Sequence, residues 1–247
     1  MRRGLYLAVV SLGVGCTKPS PSPPSPLRVA AAADLTRVFS ALGPRFTAEH
    51  GYPLTFTFAA TGVLAKQLEQ GAPYGVFAAA DTAAVDAAIA SGACRAPTRH
   101  LFARGRLAVV TAANVEPPRS LAELSNARFT RIAIANPAHA PYGRAAMAAL
   151  TAAGIADGVR AKLVYADNVA HALTLVATGN AEAGLISRAL LTTDAGTPVD
   201  SALHTPIDQA LVACAAHPGA EAFIDFVLGH ADAFAAHGFE QPAEPQR

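Results

Sequence analysis

Short apolar runs alternate with stretches of helical periodicity along most of this chain. Val29 to Ala32 reads as a buried strand, and Asp34-Leu35-Thr36 opens a helix with Leu35, Val38, Phe39 and Leu42 on its apolar face and Asp34 as its N-cap. Leu54 to Phe58 alternates as a strand, and Thr61-Gly62 sits at the N-cap of a helix over 62–70 that carries Leu64 and Leu68. A buried strand over 75–79 runs up to Asp81, and an alanine-rich helix follows from Thr82 to Ser91 before Gly92. The rhythm resumes after Arg104-Gly105-Arg106 with a strand from Leu107 to Ala112, a short helix in PPRSLAELSN and a strand from Arg131 to Ala135. After the loop NPAHAPYG come a helix from Arg144 to Ala153, a strand from Leu163 to Tyr165, a helix starting at Asn168 and a strand from Ala183 to Ile186. A strand from Ala210 to Ala216 and an amphipathic helix from Ala220 to Phe234 complete the pattern. Regular alternation of strand and helix predicts an α/β fold with mixed, largely parallel sheets.

Three of these strand–loop–helix units end in small or hydroxylated residues, at Ala33-Asp34, Ala60-Thr61-Gly62 and Pro141-Tyr142-Gly143. Ligands of open α/β sheets bind beyond the carboxyl ends of the strands, where such loops gather. Helix N-termini that converge there hold an oxyanion through backbone N–H groups without a lysine or arginine. Taken one at a time, Thr61 is an ordinary N-cap, Tyr142 a packing residue, and Ala80 and Val169 core residues. Asp81 is placed to fasten its loop by hydrogen bonds. His139 and His171 lie near these loops as solvated side chains, with no role assigned.

Length and charge narrow the function. A chain of 247 residues, 52% hydrophobic and 15% charged, buries a sizeable core and has room for two domains of about 110 residues each. A net charge of +1 offers no basic face to a nucleic-acid backbone, so nucleic acid is excluded as a partner. The chain contains no G-x-S-x-G elbow, Walker loop, H-E-x-x-H or paired-cysteine motif. That weighs against the remaining enzymatic alternative, an exported hydrolase. No catalytic residue and no cofactor is expected.

The N-terminus carries an address. Met1-Arg2-Arg3 is basic, Leu5 to Val14 is apolar and too short to span a bilayer, and Cys16 follows Gly15. Residues 1–16 resemble a bacterial lipoprotein signal with Cys16 as the lipidation site, although Leu12 lies one position further from Cys16 than is usual. Residues 17–26 form a proline- and serine-rich extended linker. Export permits a disulfide between Cys94 and Cys214, but Cys214 lies in an apolar run where a buried free thiol fits equally well.

The blocks VAAAADL, FAATGVLAKQLEQGAPYGVFAAAD, ARGRLAVV, NPAHAPYGRAAMAAL and DNVAHALTLVATGNAEAGLIS occur in an order and spacing that resemble the periplasmic molybdate-binding proteins, from about Leu27 to Phe239. These are the solute-binding components of molybdate ABC importers. The resemblance implies a type II periplasmic binding fold with two lobes joined by a two-segment hinge, one of 27–104 plus 209–247 and the other of 105–208. It implies a monomer that closes around molybdate or tungstate and delivers it to a membrane permease. Carried over by position, the ligand-binding residues are Ala33, Asp34, Thr61, Ala80 through its amide, Tyr142, and Val169 through its amide.

Two positions depart from the family pattern. Asp34 stands where a neutral donor is usual, and two unit charges about 4 Å apart in a site of effective dielectric about 20 repel by about 4 kcal/mol. Asp34 therefore caps its own helix with Arg37 offsetting its charge, or binds as the protonated acid, or serves a different ligand; capping is the expectation. Ser187 stands where some relatives have a tyrosine, for which Tyr142 is expected to substitute. A different oxyanion such as sulfate, or a small organic anion, is the alternative ligand.

Overall fold

Among the described residues, 24–192 and 196–242 of a computed structural model, ten strands form two five-stranded sheets. The leader with Cys16 and most of the linker lie outside the described residues. The first lobe comprises β1 (Leu27–Ala32), α1 (Thr36–His50), β2 (Leu54–Ala59), α2 (Thr61–Glu69), β3 (Val76–Ala79), α3 (Thr82–Ala90) and β4 (His100–Gly105). The second holds β5 (Leu107–Thr111), β6 (Ile132–Ala135), α4 (Pro141–Ala152), α5 (Ala156–Val159), β7 (Leu163–Ala166), α6 (Val169–Ala177), β8 (Ala183–Ser187) and β9 (Thr197–Pro198). The chain then returns to the first lobe as β10 (Ile207–Ala213), α7 (Gly219–Leu228) and α8 (Ala231–Ala236).

The sheet orders are β2-β1-β3-β10-β4 and β7-β6-β8-β5-β9. β1 pairs parallel with β2 and β3, and β6 with β7 and β8, whereas the pairings of β10 and β5 are antiparallel. Connectivity explains the mixture. Helical crossovers join the parallel neighbours, while β5 and β10 each arrive from the other lobe and enter in the opposite direction. Arg106 alone separates β4 from β5, and residues 199–206 form the return path.

Burial on both faces explains why the central strands read as continuous apolar runs. In β1, Leu27, Val29, Ala30, Ala31 and Ala32 are all buried. One face of the first sheet packs against α1 and α7 through an aromatic cluster, with Phe46 and Phe39 edge-on to Phe223 at 5.2 and 5.5 Å. The other face is covered by Leu64, Leu68 and Val85 of α2 and α3, packed on Phe77 and Val212. In the second lobe α4 and α6 pack against β6 and β8.

Local differences from the sequence expectations have physical causes. β4 and β9 carry no strong alternation and were not anticipated. The C-terminal helix breaks into α7 and α8 at Gly229-His230, where the His230 ring bonds the Phe226 carbonyl at 2.7 Å. Cys94 and Cys214 form a disulfide across a sequence separation of 120. That resolves the choice left open between a bridge and a free thiol.

Candidate ligand-binding site

Ala33, Asp34, Thr61, Ala80, Tyr142 and Val169 line one cavity between the lobes. Each lies just beyond the carboxyl end of a strand: Ala33 and Asp34 after β1, Thr61 after β2, Ala80 after β3, Tyr142 after β6 and Val169 after β7. The first turns of α2, α4 and α6 all open on this space, and first-turn amides have no acceptor within their own helix. The site is therefore a concentration of donors and positive dipole ends built without a cation. Its volume of about 10 Å³ is that of a single water. A tetrahedral oxyanion is several times larger, so it enters only when the lobes part.

The polar side chains form one buried cluster. The Tyr142 hydroxyl donates to Asp34 Oδ2 at 2.9 Å and accepts from the Ser187 hydroxyl at 3.0 Å, and the Gln209 amide also donates to Asp34 Oδ2. Asp34 Oδ1 and Gln209 Oε1 are buried without partners. On the other wall, Thr61 Oγ1 accepts the Ala80 N–H at 3.1 Å. An amide only donates, so the Thr61 hydrogen is left to point elsewhere.

Burial pushes the Asp34 carboxyl up to about 6, against the hydrogen bonds from Gln209 and Tyr142 that act the other way. Burial, and then the charge of Asp34, hold the Tyr142 phenol well above its ordinary range, so it is a neutral donor. The folded-state value of Asp34 exceeds its ordinary 3.8, so the folded protein binds the proton more tightly than the unfolded chain. The stability from this group is fully present below about pH 4 and is lost as pH rises through about 6, a change of about 3 kcal/mol. Asp34→Asn is accordingly expected to raise the unfolding free energy of the empty protein at about pH 7.5 by about that amount. The difference from wild type should vanish toward about pH 4, as read by denaturant titration at the two pH values. A gap that stays constant with pH would mean that Asp34 does not titrate differently in the fold.

Four expectations need correction. Asp34 does not cap α1: a 3₁₀ turn over Ala33–Leu35 intervenes before the helix, which turns the carboxyl toward Tyr142 and Gln209. Nor does Arg37 offset its charge, because that guanidinium donates to the carbonyls of Ala189 and Leu191. Thr61 is not an N-cap either; Ala60 holds that position, and the Thr61 hydroxyl bonds across to the end of β3. Tyr142 belongs to the first turn of α4 rather than to a loop, because Pro141 starts that helix with its preset φ. Asp81 does fasten its loop, capping α3 by accepting the Ala84 N–H at 3.0 Å.

Ser187 and Gln209 joined the site without being foreseen as partners of Tyr142 and Asp34. Outside the small cavity lies a larger cleft of about 500 Å³ that shares Ala80 and Pro141 with it. The donors converge on the small cavity, so the large cleft is its mouth. Asp81 and Arg144 form an ion pair across that mouth, and the Gly62 N–H donates to the His139 carbonyl at 2.9 Å, also from lobe to lobe.

Residues 27–240 match the family described as bacterial extracellular solute-binding protein. The chain is 32% identical to the molybdate-binding protein ModA of Azotobacter vinelandii over 93% of its own length and 94% of that protein's. It is 30% identical to ModA of Escherichia coli (strain K12), with 86% and 88% covered. The solved structure of the Azotobacter vinelandii periplasmic molybdate-binding protein superposes with a TM-score of 0.79 and 26% identity, over 87% of this chain and 99% of that one. The two-lobed fold and the cleft thus have their counterparts in binding proteins, and the chain belongs to the bacterial extracellular solute-binding proteins, in the family of the molybdate-binding protein ModA.

Proposed function

We propose that this protein captures molybdate, and tungstate as well, between its lobes outside the cytoplasm and hands it to an ABC permease, without performing chemistry on it. The observation that carries the reading is the convergence of six residues from five strand ends on one cavity that combines helix N-termini with neutral donors. Such a site suits an anion whose oxygens each accept a hydrogen bond, and its residues would meet the oxygens rather than the metal. Lobe closure supplies the signal, because donors from both lobes meet the ligand only when the lobes are together. The names of the ModA relatives support the choice of oxyanion. Anchoring through Cys16 belongs to the same proposal, on the basic–apolar–cysteine order of the leader, and detergent partitioning of a Cys16→Ser variant tests it.

Isothermal titration of the purified protein with molybdate, tungstate and sulfate is the direct test. Tight binding of the first two with sulfate silent is the expected result. Sulfate or a small organic anion binding in their place would favour the second reading, which the carboxyl of Asp34 in the cavity wall motivates. Thr61→Ala removes one donor to the anion and is expected to weaken binding by about 1–3 kcal/mol, about 5- to 150-fold. An unchanged affinity in that variant would take Thr61 out of the site.

A further inference from the structure

The two oxygens of Asp34 are not equivalent. Oδ2 accepts from both the Tyr142 hydroxyl and the Gln209 amide, whereas Oδ1 is buried without a partner in a residue that forms the cavity wall. Neither neighbour of Oδ2 is placed to accept from it. An amide NH₂ has no acceptor, and the Tyr142 oxygen uses its hydrogen on Asp34 while taking the Ser187 hydroxyl. A proton on Asp34 therefore belongs on Oδ1, the unpartnered oxygen of a residue that forms the cavity wall. From this geometry we infer that Asp34 enters the ligand complex as the neutral acid, so that the site takes up one oxyanion together with one proton. The inference rests on the oxyanion reading of the cavity and names the form in which the anion is held.

The charged groups around Asp34 leave it this role. Tyr142 on α4 is neutral, and Ser187 of β8 and Gln209 of β10 carry no charge. Arg144, also on α4, is paired with Asp81 at the mouth. Arg37 of α1 and Arg188 after β8 line a separate pocket with His237. His171 of α6 is paired with the exposed Asp167. With none of these basic groups set against the carboxyl, an ionised Asp34 would face an incoming dianion directly, and the dianion's field favours the acid. Burial already holds the empty-state carboxyl near 6, so the proton has to be acquired when the anion binds at neutral pH. An acid presenting O–H selects ligands with an acceptor oxygen at that point.

The test is titration of the purified protein with micromolar molybdate in two buffers of different ionisation enthalpy at about pH 8, where molybdate itself carries no proton. About one proton taken up per anion is expected, with affinity falling about tenfold per pH unit from about pH 7 to about pH 8.5. Asp34→Asn keeps the shape and a donor, and is expected to bind with no proton uptake and a flat pH profile. Wild-type binding without uptake overturns the inference while leaving the oxyanion reading in place. Proton uptake that persists in Asp34→Asn overturns it as well. Failure of wild type and variant alike to bind molybdate, tungstate or sulfate removes the oxyanion reading on which it rests.

Discussion

Loss of the Cys94–Cys214 bridge is expected to lower the unfolding free energy by about 5 kcal/mol. The bridge ties the segment after α3 to the residue just past β10, and the 120-residue separation encloses the whole second lobe. In the chain-entropy picture a closed loop of that size restricts the unfolded ensemble by about 5 kcal/mol. The native arrangement does not need the bridge to stay in register. Arg95 N–H donates to the Ala213 carbonyl at 2.8 Å and Cys214 N–H to the Gly75 carbonyl at 2.9 Å on either side of it. A Cys94→Ala/Cys214→Ala variant should therefore keep the fold and ligand binding while its denaturant midpoint drops. An unfolding free energy equal to that of the bridged protein would refute the entropic account.

Gly105→Ala is expected to weaken anion binding by up to about a hundredfold while changing the empty protein's stability much less. A Cβ at Gly105, the last residue of β4, would stand 2.0 Å from the Tyr142 hydroxyl oxygen and 2.9 Å from its Cζ. Tyr142 cannot step aside, because it is buried with Asp34 and Ser187 on its hydroxyl. It can leave only by withdrawing with its own lobe. The overpacking cost of about 1–3 kcal/mol thus falls on the closed state and is avoided in the open one. Titration of the variant beside its thermal unfolding separates the two effects, and solution scattering reports the opening. Affinity equal to wild type would show that closure does not need the bare Gly105 backbone.

Position after a strand made the cavity-lining residues readable. Ala33, Asp34, Thr61 and Tyr142 each follow an apolar run, and a parallel sheet brings such ends together whatever the side chains are, whereas Ala80 and Val169 read singly as core and were named only through the family resemblance. Gln209 and Ser187 were unreadable for the opposite reason. Each lies within a strand, and alternation says which face a residue takes but not that a polar side chain on it meets a buried partner from a distant part of the chain. Asp34 misled because an acidic residue ahead of a helical pattern is the common N-cap. The single 3₁₀ turn that redirects it leaves no mark in the hydrophobic period. The start of α4 was available in the sequence, since Pro141 at the first helical position is a known signal. The thin edge strand β9 was not, because two residues cannot show a period.

The bonds that the cleft groups make with one another have a consequence for which ions the protein ignores. Ala80 N–H rests on Thr61, Gly62 N–H on the His139 carbonyl, and the Tyr142 hydroxyl on Asp34. The groups at the cleft are thus engaged with one another rather than with solvent, and the first and last of these bonds lie within the cavity wall itself. A newcomer competes against resident acceptors held at fixed distance, not against exchangeable water, and its apparent affinity is reduced by the share of molecules in which the residents are displaced. Feeble acceptors such as chloride fall below that threshold at any ordinary abundance. Only an ion able to satisfy several of these groups at once rises above it, so rejection of the common background is built into the bonding of the cleft.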